Sequence, residues 1–368
     1  MMRRVVVTGI GVLCACGKTR EEFRAALRAG RTGIGQIDNC EIRDLRFQNG
    51  GVIHGFNAAD HMDPKQADMI DRFAQLAVVA ASEAVVHSGV EWTPELRDTA
   101  AIVTGSCVGG QSTENQGFYD VYKMGKPRVH PMTIPKTMAN AGASAISLEF
   151  GITGPVFTLA TACSSSAHAI GQAAALIRSG MTDLAITGGS EAPFSYGILK
   201  AWEAMRVVSP TVCRPFSKDR NGMILGEGAA MLVLESLEHA LARGAKPIAE
   251  IAGFGMSSDA HHITQPSAEG AAKAIRRALA DAGLAAGDIQ YVNAHGTGTN
   301  VNDVTETRAL HLAFGEHAGK LAISSTKAMH GHTLGAAGAL ETAATILSIT
   351  SGFLPPTIQF NERDPECD

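Results

Sequence analysis

Short apolar runs alternate along this chain with longer stretches whose apolar positions recur every third or fourth residue, the pattern of strands alternating with helices. The runs Arg4–Thr8, Ala100–Thr104, Val156–Ala160, Leu184–Thr187, Ala230–Leu234, Ala249–Ala252, Tyr291–Ala294 and Leu321–Ser324 predict strands. Met69–His87, Ile134–Phe150, Ala167–Ser179, Ala271–Ala282, Thr305–Phe314 and Ala336–Thr350 predict helices. Gly89, Gly180, Gly283 and Gly352 stand just past four of these, where a helix end favours glycine. The order also repeats: Val5-Val6-Val7-Thr8-Gly9-Ile10-Gly11, a helix and His87-Ser88-Gly89-Val90 are answered by Glu250-Ile251-Ala252-Gly253-Phe254-Gly255, a helix and Asp281-Ala282-Gly283-Leu284. We therefore expect an α/β protein of two duplicated halves, residues 1–246 and 247–368, with an insertion between Thr19 and Pro135 over the first. A site could lie between the halves.

Composition narrows the function classes. With 368 residues, 45% of them hydrophobic and 18% charged, the chain can bury a large core. A net charge of -5 offers no global attraction for nucleic acid or an anionic membrane, and an aromatic content of 5% does not suit a base-stacking surface. The seven cysteines, at 14, 16, 40, 107, 163, 213 and 367, have no C-x-x-C spacing, so neither a disulfide framework nor a structural metal site is expected. Met1–Val7 reads as a first strand rather than a signal peptide, and no stretch is long and apolar enough to cross a bilayer. The expected compartment is the cytoplasm.

Three polar clusters sit where predicted strands end. Cys163, in Thr161-Ala162-Cys163-Ser164-Ser165-Ser166, joins an apolar run to an alanine-rich helix. Such a turn would lift a nucleophile into a cleft, and the following helix would favour its thiolate. The alternative is a small buried cysteine. His295 follows a strand in Asn293-Ala294-His295-Gly296-Thr297-Gly298-Thr299, and Ser324-Ser325-Thr326-Lys327-Ala328-Met329-His330-Gly331-His332 repeats that arrangement. Ligand chemistry in α/β folds gathers at the carboxyl ends of strands.

Together these segments resemble the three catalytic motifs of the β-ketoacyl-acyl-carrier-protein synthases, type II branch. Cys213-Arg214-Pro215-Phe216-Ser217-Lys218-Asp219-Arg220, Gly226-Glu227-Gly228-Ala229 and Gly335-Ala336-Ala337-Gly338-Ala339-Leu340-Glu341 add to the likeness, which runs from Arg4 to Asp368. Leu199-Lys200-Ala201-Trp202-Glu203-Ala204-Met205-Arg206 and the His330-Gly331-His332 pair resemble the nodulation protein E subgroup. The resemblance implies a thiolase-like fold in α-β-α-β-α layers, a homodimer, and a decarboxylating Claisen condensation. In that chemistry Cys163 holds the acyl chain while His295 and His332 donate to the enolate of a malonyl thioester. Lys327 would tune the histidines with Glu341 as its acidic partner. Thr264, Thr297 and Thr299 would bind phosphopantetheine, Val108 and Trp202 would line the acyl tunnel, and Lys65, Lys126, Arg128 and Arg206 would meet an acyl carrier protein. No bound cofactor is implied, because the substrates ride on the carrier's phosphopantetheine. His330, His261 and His262 are expected to point outward or stand behind the reacting groups.

The likeness has departures. Asp68 and Met69 stand where the family often has basic residues, and the sequence ends before the family's final strands and gating Phe loop. Two other readings remain at this point: a noncatalytic partner like a chain-length factor, and a cysteine-dependent thioester hydrolase. Retention of Cys163 weighs against the first, and the paired histidines with Lys327 weigh against the second.

Overall fold

The computed structural model describes residues 3–368, so Met1 and Met2 lie outside the described residues. Its strands are β1 (Val5–Cys14), β2 (Gly35–Gln36), β3 (Asn49–Gly50), β4 (Ala101–Gly105), β5 (Val156–Leu159), β6 (Leu184–Glu191), β7 (Gly228–Ser236), β8 (Ala249–Glu250), β9 (Tyr291–Asn293) and β10 (Ala322–Ser324). Its α-helices are α1 (Arg20–Ala29), α2 (Pro64–Asp68), α3 (Arg72–Ser88), α4 (Pro94–Thr99), α5 (Gln111–Phe118), α6 (Thr133–Thr137), α7 (Ala141–Phe150), α8 (Ser165–Arg178), α9 (Tyr196–Met205), α10 (Leu237–Ala242), α11 (Ala268–Ala282), α12 (Asn300–Phe314), α13 (Lys327–His330) and α14 (Ala337–Ser351).

The first half is organised by a sheet of order β5-β4-β6-β7-β1-β8. β4, β5 and β6 run parallel, whereas β7 is antiparallel to both β6 and β1. Every residue of β1, β6 and β7 is buried, as expected of strands covered on both faces. α3 and α7 cover one face through Phe73, Leu76, Ala77 and Ile146, while α8 and α14 cover the other through Ala173, Ile177, Leu340 and Leu347. β1 outruns its predicted end because a bulge between Val7 and Gly9 carries it past the polar Thr8. Gly11 allows α3 to lie against it: a Cβ there would stand 1.9 Å from the Ala80 carbonyl oxygen.

Two predicted helices are corrected. Met69–His87 begins only at Arg72, because the Asp71 carboxylate accepts from the Phe73 N–H and caps it there. Ile134–Phe150 is two helices, broken where Met138 turns extended.

The second half is smaller in sheet. β9 and β10 pair in parallel, β8 adds to the first sheet beside β1, and residues 251–260 carry no strand. α11 and α12 pack outside β9 through Leu279, Leu310, Phe314 and Val292. On the inner side Asn293 reaches the Glu341 carbonyl of α14, and Phe254 fills the space beside Gly171 of α8. The layers thus run helix, sheet, helix, sheet, helix, with α8 and α14 in the middle.

Candidate active site

Cys163 is presented by the short link between β5 and α8. Ala162 takes a left-handed backbone, φ 53°, a sharp and strained reversal that turns the next side chain upward. The Ser165 hydroxyl donates to the Ala162 carbonyl at 2.6 Å and accepts from the Thr161 N–H at 2.9 Å, so the turn is held by its own side chain.

From the second half, His332 brings its Nε2 to 3.0 Å from the Cys163 sulfur. The His295 ring stands edge-on to that of His332, centroids 5.3 Å apart. Lys327, fully buried, pairs with Glu341 and donates to the His295 carbonyl at 2.6 Å. The three reactive side chains, separated along the sequence, therefore meet in one place, with the Lys327–Glu341 pair directly beneath.

Burial holds both rings neutral. It pulls His295 down to about 3 and His332 well below the usual histidine range, with the Lys327 charge acting in the same direction. The Leu334 N–H donates to Nδ1 of His332 at 3.3 Å, which leaves the ring proton on Nε2, facing the sulfur. The same tautomer bears on metal binding. Sulfur and ring nitrogens lie within 4.8 Å of one another, a zinc-like donor set, yet the nitrogen turned toward the sulfur carries a proton instead of a free lone pair.

The expected thiolate is a correction. Burial pushes the Cys163 thiol up, outweighing the opposing pull of Lys327. Desolvation disfavours the charged form more than the helix start favours it. Of the two places expected for His330, the structure gives the one behind the reacting groups: it is fully buried, with Nε2 3.0 Å from the Thr326 hydroxyl and its ring against Phe23.

Cys163, His295 and His332 open onto a cavity of about 810 Å³ that Trp202, Arg206, Thr264, Thr297 and Thr299 also line. His262 lines it too, accepting from the Thr264 N–H at 3.1 Å, whereas His261 is exposed. The Thr297 and Thr299 hydroxyls are 2.9 Å apart. Other residues singled out in the sequence lie elsewhere. Val108 is half-buried outside that lining, Lys65 borders a separate apolar hollow of about 270 Å³ beside Met62, Met69 and Leu148, Lys126 pairs with Asp120, and Arg128 is exposed.

Two supporting carboxylates escaped the sequence reading. Glu306 accepts from the His295 and Gly296 N–H groups at 2.6 and 2.7 Å, fixing the turn that carries the histidine. Asp303, fully buried, accepts from Gly298 and Phe216 at 3.2 and 2.8 Å. Their signal was present: Asp303 and Glu306 share a helix face with the buried Thr307 and Leu310, an unusual place for acids.

Comparison with known proteins follows the same lines. Residues 2–240 match the family model of the beta-ketoacyl synthase N-terminal domain, and residues 248–361 match that of the C-terminal domain. A Nodulation protein E of Rhizobium sp. (strain N33) is 46% identical over 370 residues, covering 100% of this chain and 91% of that protein. A 3-oxoacyl-[acyl-carrier-protein] synthase 2 of Staphylococcus aureus (strain COL) is 39% identical, with 100% and 90% covered. Among solved structures, the ishigamide ketosynthase/chain length factor superposes with a TM-score of 0.94 at 36% identity, covering 100% of this chain and 91% of the other. A ketosynthase bound to its type II PKS acyl-carrier protein, AntDE:AntF, gives 0.89 at 30% identity, covering 100% and 91%.

Proposed function

The chain belongs to the beta-ketoacyl synthase family, and from that premise we propose that it condenses an acyl group held on Cys163 with a malonyl unit delivered by acyl carrier protein. The observation that carries this reading is the 3.0 Å approach of His332 to the Cys163 sulfur, beside the neutral His295, in one cavity.

The Cys163 sulfur attacks the acyl thioester, the carrier's thiol leaves, and the sulfur's proton ends on that thiol. The His332 Nε2–H eases the step by donating to the sulfur as it gains charge. Malonyl thioester then occupies the cavity, its pantetheine arm along Thr264, Thr297 and Thr299. Its carbon–carboxylate bond breaks, releasing carbon dioxide and leaving an enolate whose oxygen receives the N–H groups of His295 and His332. Donors that strengthen as charge develops stabilise the transition state more than the bound substrate. The enolate carbon attacks the acyl carbonyl, and collapse of the tetrahedral adduct returns the Cys163 thiolate, which takes up one proton from solvent. Burial keeps both imidazoles neutral, the Lys327 charge adds to it, and Glu341 balances that charge.

A homodimer is part of the proposal. β5 closes one edge of the large sheet, its four residues half-buried, while α7, which packs against β5, leaves Leu148 84% exposed. Such an apolar surface beside a free strand edge suits pairing with a second copy. Arg206, exposed at the cavity rim, is the basic residue best placed to meet an acidic carrier, with Lys65, Lys126 and Arg128 farther along the surface. We place the protein in the cytoplasm, where its seven free cysteines stay reduced; among the described residues no helix is long and apolar enough to cross a membrane.

Mass spectrometry after incubation with acyl- and malonyl-carrier proteins tests the function. An acyl adduct on Cys163, carbon dioxide and a β-ketoacyl product are expected; free acid alone would mean hydrolysis. Sedimentation in the same buffer reads the oligomeric state.

A further inference from the structure

Glu191 ends β6 as a carboxylate with no exposure to solvent. Its two oxygens are fully used. Oε1 accepts from the Ser106 hydroxyl at 2.9 Å and the Val108 N–H at 3.4 Å; Oε2 accepts from the Cys107 N–H at 2.7 Å and the Gly335 N–H at 3.0 Å. Ser106–Val108 is the loop leaving β4 in the first half, and Gly335 lies in the turn that follows His332 in the second. One buried group therefore ties the two halves together beside the reacting atoms.

Its chemistry is selective. Buried Glu227 and Glu235 and the largely buried Glu341 each face a cation, Arg72, Arg243 and Lys327 respectively. Glu191 is met by backbone N–H groups and a hydroxyl and, among the described residues, by no cation within salt-bridge distance. A protonated carboxyl would turn one oxygen into a donor facing donors, so these contacts select the ionised form although burial raises its pKa. The approach is also tight: a Cβ at Gly335 would stand 2.4 Å from Oε2. A charge placed at such cost among fixed donors holds geometry.

We propose that Glu191 is a positioning residue that locks the Ser106–Val108 loop to the turn after His332, so that the end of β4 and the ring that faces the enolate are set as one unit. The proposal rests on the condensation reading for its kinetic consequence, while its geometry stands apart from it.

The test compares the full chain with Glu191→Gln, which keeps the shape, removes the charge and turns an amide N–H₂ toward a donor. Condensation kcat is expected to fall by about 10- to 100-fold, the scale of a small misplacement of reacting groups, with KM for the malonyl carrier changed less than about twofold. The Glu191 charge also raises the Cys163 thiol, so the rate–pH profile for Cys163 alkylation should move to lower pH as condensation falls. A merely structural role would slow both reactions in proportion to the folded fraction. That proportional loss, or unchanged condensation, overturns the proposal. Should Glu191→Gln fail to fold, Ser106→Ala removes one donor from the same carboxylate and should reduce condensation several-fold with unchanged KM; no reduction overturns it. If the wild-type protein releases no carbon dioxide, the condensation reading falls, and amide hydrogen exchange at Cys107, Val108 and Gly335 alone decides: unchanged exchange in Glu191→Gln then overturns the role of Glu191.

Discussion

The two halves hold their parts of the site by different forces. In the first, Cys163 stands on a turn between β5 and α8, elements of a six-stranded sheet whose central strands are buried on both faces. In the second, β9 and β10 form a two-stranded sheet whose strands are mostly half-buried, and the histidine turns are fixed by Glu306, Lys327 and Glu341. An apolar sheet and the neutral hydrogen bonds of Ser165 position the nucleophile, whereas paired charges and charge-assisted hydrogen bonds position the rings. Packing tolerates small changes in volume, but a buried ionic network fails when one member is removed.

The sharpest way to separate the halves is to remove chemistry from one and support from the other. Cys163→Ala should abolish acyl loading and lower condensation by about 10⁴-fold or more while leaving stability nearly unchanged, as product analysis and urea unfolding would show. Lys327→Ala should do the opposite to the fold: it strands the Glu341 carboxylate and should destabilise the protein by about 3–5 kcal/mol in the same unfolding measurement. The double change Lys327→Met with Glu341→Leu should recover most of that stability without recovering activity. A small loss in Lys327→Ala would break the comparison.

Next, His295→Ala or His332→Ala should each lower carbon dioxide release by about 10²- to 10³-fold. Acylation of Cys163 should survive best in His295→Ala, because it is His332 that touches the sulfur.

Acidification sharpens the contrast further. His330, held at about 3 by burial, and His332, lowered well below its usual value, have folded pKa values below their unfolded ones. Between about pH 6.5 and 3 the unfolded chain therefore binds more protons than the native one, so stability is complete above about 6.5 and is lost as pH falls, by up to about 1.4 kcal/mol per pH unit for each ring. Thermal unfolding from pH 7 to 5 should show the decline, His330→Phe should reduce its slope, and amide exchange should rise in α13 before it rises in β7.

The smallest effect is expected at the rim. Arg206→Ala should raise KM for the carrier substrate by about three- to fivefold, less at high salt, with kcat unchanged. Steady-state kinetics at two ionic strengths would read it.

Legibility followed the same division. The segments around Cys163, His295, Lys327 and His332 could be picked out because a short polar cluster at the end of an apolar run has a local signature. Helix and strand order was legible for the same reason, although Asp71 and Met138 moved helix boundaries that periodicity alone had run together. Whether His330 points outward or stands behind the reacting groups is not legible locally, because its burial comes from Phe23, remote in sequence. Glu306 and Asp303 were passed over because an acid on a helix looks solvated until the turn it serves is seen beside it.

The sequence by itself determined the alternation of elements, the three reactive segments and the family they belong to, since these depend on residue type and spacing over short stretches of chain. Tertiary structure alone decided the protonation of Cys163 and the rings, the tautomer of His332, and which carboxylates hold which turns. Those properties arise from desolvation and from donors a few ångströms away in space, and the residues that supply them are remote along the chain, 169 positions in the case of His332 and Cys163.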